Sequence, residues 1–336
     1  CVPGPAVLIP AGATPVALGR QALALAARGA RDAGRRTVLV PWYCCQTMVT
    51  PWELEGMSVR RIPVGPDLLM DAAALSHSLR DCREAGEHPV VLHCQTLGLH
   101  AGPQLAGVLA RVARTGALVV DRTHSFLEDH CPHASPDASP GCDAPAGSVE
   151  IVSSRKLLPL AEVAWITGPD HRLAGRTPAD EDLTAARMRY LADPRVSTFE
   201  EVEDLADSAW TPVPPDRQAL DRLREFDAPA LVEQMRAGRE AVMAGLAVQH
   251  AGTAVEVVNP RAVCPLVVRA AGRQAADRIA EELHGQGLDG PIHWDRPAHL
   301  APVGGSEWPD DLVCLPVVMD ADQVATVLEI LGRTTS

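Results

Sequence analysis

Lysine is almost absent from this 336-residue chain, whose 30 basic side chains comprise 29 arginines and a single lysine, at position 156. Charge, salt bridges and surface solvation are all served by a guanidinium, so a chain can lose its lysines wherever only charge matters. Imine formation is different, because arginine stays protonated and cannot condense with an aldehyde. The one lysine kept is therefore a candidate for nucleophilic amine chemistry, a common use of lysine in enzymes, beside the plainer reading that it survived by chance. Aromatics are scarce at 3% against 46% apolar residues, so a sizeable core is available and most of it must be aliphatic. No stretch reaches the roughly 20 apolar residues that span a bilayer. The uncharged residues 1–19 are broken by Pro3, Pro5, Pro10 and Pro15 and follow no basic region, unlike a secretion signal. The nine cysteines lack any CxxC pair or regular framework, which points to a reducing compartment, with the cytoplasm as the expected location. A net charge of −13 argues against nucleic acid or an anionic membrane as partner.

Short apolar runs alternate with helical patterns. Thr37–Pro41, Ser58–Pro63, Pro89–His93, Ala117–Asp121, Val149–Ser153 and Val163–Thr167 are expected strands. Gly19–Ala33, Asp71–Glu84 and Pro103–Arg114 carry apolar residues at helical spacing. The alternation predicts an α/β fold with a mostly parallel central sheet flanked by helices. Ligands then gather at the carboxyl ends of the strands, where Asp121 and Lys156 lie. The Pro-rich segment Trp210–Asp216 divides the chain into an expected large domain, 1–212, and a segment 213–336 that holds a linking helix (Arg217–Val248) and a small α/β domain. That small domain is expected as strand Ala262–Arg269, helix Arg273–Gln286, strand Asp311–Val318 and helix Ala321–Leu331. Ala134–Gly147 is low in complexity and is expected to be a flap over the pocket, since it joins the Asp121 and Lys156 strands.

Pyridoxal 5′-phosphate (PLP) needs an amine for its aldehyde, an acid near its pyridine nitrogen and donors for its phosphate. Lys156 offers the first. Asp121 offers the second, since a paired carboxylate keeps the ring nitrogen protonated, although a strand-end Asp also commonly caps a turn. Ser153, three residues before the lysine, offers a hydroxyl for the phosphate, and Gly19-Arg20-Gln21 opens a helix whose first N–H groups suit an anion. His124 is placed to bond Asp121 or the cofactor's ring hydroxyl. Glu128-Asp129-His130-Cys131-Pro132-His133, with Cys142 and Asp143, has zinc-ligand residue types but no zinc spacing, so no metal is expected. Cys44-Cys45 is expected to be buried rather than redox-active, and His293-Trp294 is a candidate substrate contact.

This ordered set resembles the DegT/DnrJ family of aminotransferases, PLP enzymes of fold type I. The resemblance runs along nearly the whole chain through Ala17-Leu18-Gly19-Arg20-Gln21-Ala22-Leu23, Val38-Leu39-Val40-Pro41-Trp42-Tyr43-Cys44-Cys45, Asp121-Arg122-Thr123-His124, Ser153-Ser154-Arg155-Lys156-Leu157-Leu158-Pro159, His293-Trp294 and Leu315-Pro316. It implies that Lys156 forms the internal aldimine, that Asp121 pairs the pyridine nitrogen and that His124 lies near the ring. It assigns the phosphate to Ser153 and the Gly19–Gln21 backbone, and the ring-stacking place to Cys45, with Tyr43 nearby. It also implies a homodimer whose site is completed across the interface, small-molecule amino donors and acceptors, and transfer to a keto group of a sugar or natural-product intermediate. The chain departs from the family at Val163-Ala164, where Gly-Gly is common, and at Cys45, where an aromatic often stacks. These departures keep a second reading open, a PLP-dependent decarboxylase, lyase or dehydratase. A third is a non-catalytic relative that acts as a partner or regulator.

Overall fold

The computed structural model describes residues 8–130, 144–168, 173, 181–192, 196–248, 255–292, 294, 296–297, 300 and 308–333. Seven strands form the central sheet: β1 (Thr14–Val16), β2 (Thr37–Pro41), β3 (Ser58–Ile62), β4 (Val90–Cys94), β5 (Leu118–Asp121), β6 (Val149–Ser153) and β7 (Ala164–Ile166). Their order across the sheet is β1-β7-β6-β5-β4-β2-β3. Strands β3, β2, β4, β5 and β6 are parallel, whereas β7 runs antiparallel to both of its neighbours. The inner strands β2, β4 and β5 are buried along their whole length, as their unbroken apolar runs require. Six expected strands lie where the apolar runs put them, with ends moved by a residue or so. The seventh, β1, was not expected because Pro15 sits in its centre. It is an edge strand, where a missing N–H is tolerated.

The helices in chain order are α1 (Gly19–Asp32), α2 (Thr50–Leu54), α3 (Ala72–Glu84), α4 (Pro103–Ala113), α5 (Glu181–Ala192), α6 (Val196–Asp207), α7 (Arg217–Arg224) and α8 (Ala228–Val248). One face of the sheet packs Val38, Val40, Leu92 and Ile151 against Ala22, Leu23 and Ala26 of α1. The other packs Leu39, Val91, Leu118 and Val120 against Leu75 of α3 and Leu105, Leu109 and Val112 of α4. The expected linking helix is broken into α7 and α8. Pro229 cannot continue a helical ladder, and the Asp227 carboxylate instead accepts the Ala230 N–H at 3.0 Å. Val232 and Met235 of α8 pack under the sheet with Val152 and Trp165, while Val242 and Leu246 enter the core of the C-terminal unit.

That unit has a three-stranded antiparallel sheet of β8 (Glu256–Val257), β9 (Val267–Arg269) and β10 (Leu312–Cys314), with α9 (Arg273–Gly285) and α10 (Ala321–Arg333) against it. The expected strand Ala262–Arg269 shortens to β9 because Pro265 cannot donate to a ladder. Gly98 has φ +71, and a Cβ there would stand 2.6 Å from that of Ala262 and 2.9 Å from that of Cys264. Only glycine allows this approach of the C-terminal unit to the loop after β4. No described helix is long and apolar enough to cross a membrane.

Candidate functional site

The carboxyl ends of β2, β5 and β6 deliver Cys45, Asp121 and Lys156 to one pocket, which is completed by the start of α1 and by Trp294 of the C-terminal unit. Its lining includes Gly19, Arg20, Cys45, Asp121, His124 and Ser153, with Arg155, Lys156 and Trp294. Gly19 is required where α1 meets β6, since a Cβ there would lie 2.8 Å from the Ser153 Cβ. Helix α1 starts at Leu18 in extended conformation, and the Gln21 Oε1 accepts the Leu18 N–H at 3.4 Å. The N–H groups of Gly19 and Arg20 precede the helical ladder, which begins with the bond from Gln21 N to Leu18 O at 3.0 Å.

Positive charge concentrates at this end of the pocket. Burial, then the neighbouring Arg155, pull the Lys156 amine down from 10.5 to about 8. Arg155 Nη2 and Arg20 Nη2 each stand 3.4 Å from a different oxygen of Glu203 on α6. Arg20 Nη1 pairs with Asp207 at 2.9 Å, and its guanidinium lies over the Trp210 ring, 4.8 Å from the centroid. Arg187 of α5 donates to the Arg155 carbonyl at 3.3 Å and faces the Tyr190 ring at 4.7 Å. Burial pushes the Glu203 carboxyl up, but Arg155, Lys156 and Arg20 outweigh it and hold the group below its ordinary value.

The other end is electrostatically opposite. Asp121 is buried and accepts the Thr123 N–H at 2.8 Å. Burial raises its pKa, opposed by the Thr123 hydrogen bonds, and no cation contributes to the shift. His124 does not bond Asp121; its Nδ1 accepts the Leu97 N–H at 3.1 Å. Burial, then Lys156, lower its pKa to about 3, so the ring is neutral with its proton on Nε2. Trp294 stacks on His124 at 5.6 Å between centroids and an interplanar angle of 28°. It supplies a flat aromatic wall in a pocket where Cys45, its thiol 3.0 Å from the Thr47 hydroxyl, offers none.

Two expected cofactor residues sit elsewhere. Tyr43 turns away from the lysine pocket and packs on Trp294 and Trp308, both at 5.0 Å, in an adjacent cleft. The Gln21 side chain is spent on structure, donating to Ala209 O at 3.2 Å and capping Leu18. His293 and the core of the expected flap, 131–143, fall outside the described residues. Of the zinc-type cluster, Glu128 bonds His100 at 2.5 Å and Asp129 bonds Arg122 at 2.8 Å; its cysteines lie outside the described residues. At the departure from the family's Gly-Gly, Val163 is fully buried and takes φ +96. The backbone keeps a glycine-type conformation with a β-branched residue in it. Its carbonyl accepts the Ser154 N–H at 3.1 Å and hydroxyl at 2.7 Å, and its N–H reaches Ala17 O at 3.0 Å. These bonds hold the turn that carries Lys156. Glu203 and Arg187 were not legible in the sequence as site residues, because α5 and α6 return to the pocket from far along the chain.

No protein-family model matches the chain, and no curated protein matches it. Solved structures do. DesV from S. venezuelae, in complex with a ketimine intermediate, is 17% identical with a TM-score of 0.62 over 96% of this chain and 84% of that one. A DegT DnrJ EryC1 StrS aminotransferase from Brucella abortus is 15% identical with a TM-score of 0.59, covering 96% and 86%. An archaeal O-phosphoseryl-tRNA(Sec) selenium transferase is 12% identical with a TM-score of 0.58, covering 96% and 70%. The chain has the fold of these transferases, fold type I.

Proposed function

We propose that this chain is a PLP-dependent aminotransferase that passes an amino group to a keto carbon of a sugar or related natural-product intermediate. The observation that carries the reading is the sole lysine facing one pocket with a buried carboxylate, Asp121, that has no cationic partner among the described residues. The donor set fits the cofactor. An uncompensated Asp121 suits a protonated pyridine nitrogen, and the start of α1 with Ser153 suits a phosphate. The fold shared with aminotransferases supports the reading, and nothing in that likeness favours a decarboxylase, lyase or dehydratase.

Lys156, Asp121, His124, Ser153 and the N–H groups of Gly19 and Arg20 would hold PLP, which supplies an aldehyde and an electron-withdrawing ring. Lys156, with a pKa of about 8, has a deprotonated fraction near neutrality for nucleophilic attack. Its amine would also serve to move a proton at the substrate Cα. Asp121 holds a proton at the pyridine nitrogen. His124, with Nδ1 committed to Leu97, presents Nε2–H as a fixed donor. Trp294 and Leu18 add apolar surface to the pocket lining.

The same reading includes a homodimer, a reducing cytoplasmic setting in keeping with six free thiols among the described residues, and a domain boundary near 212/213. Purified protein with PLP should show a visible absorbance band, and borohydride should fix the cofactor on Lys156 by peptide mapping. Glutamate or glutamine should convert that band to the shorter-wavelength band of pyridoxamine phosphate. Lys156→Ala should abolish the adduct. No spectral change with any amino donor, or an adduct retained in Lys156→Ala, overturns the proposal.

A further inference from the structure

Leu97, in the loop after β4, takes a backbone conformation that leucine rarely adopts. Its φ is +55 with ψ 26, in the left-handed region where a side chain is disfavoured, and Gly98 follows at φ +71. The residue is 2% exposed. Its side chain packs with Trp42, Ala262 and Cys264 in the apolar cluster that joins the C-terminal unit to the large one. Strain of this kind persists only where the surroundings hold it, and both polar groups of the buried residue need partners.

Both have one. The Leu97 N–H donates to His124 Nδ1 at 3.1 Å. The Leu97 carbonyl accepts from Asn259 Nδ2 at 2.9 Å, across 162 residues of chain. Asn259 lies just after β8 and is 1% exposed. Its Nδ2 also donates to the Pro265 carbonyl at 3.0 Å, and its Oδ1 accepts the Val267 N–H at 2.9 Å. Its own carbonyl accepts Arg239 Nη2 at 2.9 Å. The side-chain amide is therefore fixed by the C-terminal unit with both hydrogens committed. Releasing Leu97 would leave buried polar groups without partners.

A neutral imidazole keeps one ring proton, and a hydrogen bond received at one nitrogen sends that proton to the other. Lys156, Asp121, Arg20, Arg155 and Cys45 are the charged and titratable groups that share the pocket with His124. Their charges bear on whether the ring is protonated. The Leu97 N–H decides where a neutral ring holds its proton. We propose that Asn259 is a positioning residue for the lysine pocket: by holding Leu97 in its left-handed conformation it keeps His124 in the Nε2–H tautomer. A relaxed Leu97 would turn its N–H away, and either nitrogen could then carry the proton. The same unit lays Trp294 on the ring, so its seating fixes both the plane of His124 and its proton. The consequence for cofactor chemistry rests on the PLP reading, whereas the tautomer belongs to the chain alone.

Nitrogen-15 NMR of histidine-labelled protein without cofactor reads the tautomer. His124 is identified by the signals lost in His124→Phe, which keeps a ring against Trp294 but no nitrogen. The unaltered protein should hold the proton on Nε2, unchanged between about pH 6 and 8 because the ring titrates only near 3. Asn259→Ala should give a mixture of tautomers. Asn259→Asp keeps the acceptor for Val267 but, ionised, has no hydrogen for Leu97, so it should behave like the alanine variant. A proton on Nδ1 in the unaltered protein, or an unchanged tautomer in folded Asn259→Ala or Asn259→Asp, overturns the proposal. If neither variant folds, Arg239→Met, which slackens Asn259 only through its carbonyl, should give a smaller shift the same way, and no shift overturns it. With PLP added, the pH midpoint of the visible band should move in Asn259→Ala by about one unit, a tenfold change in a proton equilibrium and the scale of one hydrogen bond. The direction should be that of His124→Phe, and the double variant should move no further, whereas damage elsewhere would add. Additive shifts therefore also overturn the proposal. If the unaltered protein forms no band, the cofactor reading falls, and the tautomer still decides the role of Asn259.

Discussion

The two ends of the lysine pocket are built from opposite materials. At one end, arginines from α1, α5 and the turn after β6 crowd around Lys156 with Glu203 between two of them. At the other, Asp121 is buried and accepts the Thr123 N–H, beside a neutral His124 and an aromatic Trp294. Burial acts on both ends but with opposite consequences: it lowers the lysine and raises the aspartate. A pocket polarised in this way would suit a ligand that is anionic at one end and cationic at the other, in keeping with the proposed cofactor. That is the charge pattern of a phosphorylated pyridinium, and it follows from placement rather than from any one residue.

Asp121→Asn should break this contrast most severely. An amide cannot hold the ring nitrogen protonated, so turnover should fall on the order of 10²–10³, the scale of losing one preorganised electrostatic group. Attachment of PLP to Lys156 at the opposite end should persist, read by borohydride fixation and peptide mapping. Attachment lost along with turnover would mean that the two ends are not separate.

The lysine's titration sharpens the contrast next. With a single lysine, amine labelling followed by peptide mapping reads Lys156 alone, and its rate should rise with a midpoint near pH 8. Because the folded pKa lies below the ordinary 10.5, the unfolded chain binds more protons between these values. Stability from this group should therefore rise with pH from about 8 to 10.5 and be at its lowest below that window. Glu203→Gln removes a group that raises the lysine and should move the midpoint down. Asp121→Asn should leave it in place, since the charges that act on Lys156 are those of its own end.

The smallest effect concerns the support of the lysine turn. At an ordinary buried site glycine is less stable than alanine. At Val163, with φ +96, the order should reverse, with Val163→Gly more stable than Val163→Ala by about 1 kcal/mol in chemical denaturation, because only glycine relieves the left-handed strain. The usual order at this site would show that the valine carries no such strain.

Much of the seven-stranded sheet was legible because parallel strands buried on both faces carry continuous apolar runs, as in Thr37–Pro41 and Leu118–Asp121. Strand β1 escaped because three residues around Pro15 carry no such pattern. The break between α7 and α8 is marked in sequence by Asp227-Ala228-Pro229, a capping residue followed closely by a proline, but the charges and apolar face on either side mask it. Lys156, Asp121, Ser153 and Gly19 could be singled out as candidates because each stands at the end or start of a regular element, and the structure brings them to one pocket. Tyr43 was misplaced because its distance from Pro41 does not fix which way a loop side chain turns.

What the sequence determined by itself is the alternation of strand and helix, hence the sheet, and the identity of the one amine that can form an imine. Local hydrogen bonding and apolar periodicity act over a few residues, so both survive in a linear string. Only the tertiary structure decided the electrostatics of the pocket. Glu203 meets Arg20 across a separation of 183 residues, Trp294 arrives from another unit to lie on His124, and burial sets the lysine and the aspartate against their usual titration. Such couplings depend on distance and dielectric in space, which no spacing along the chain encodes.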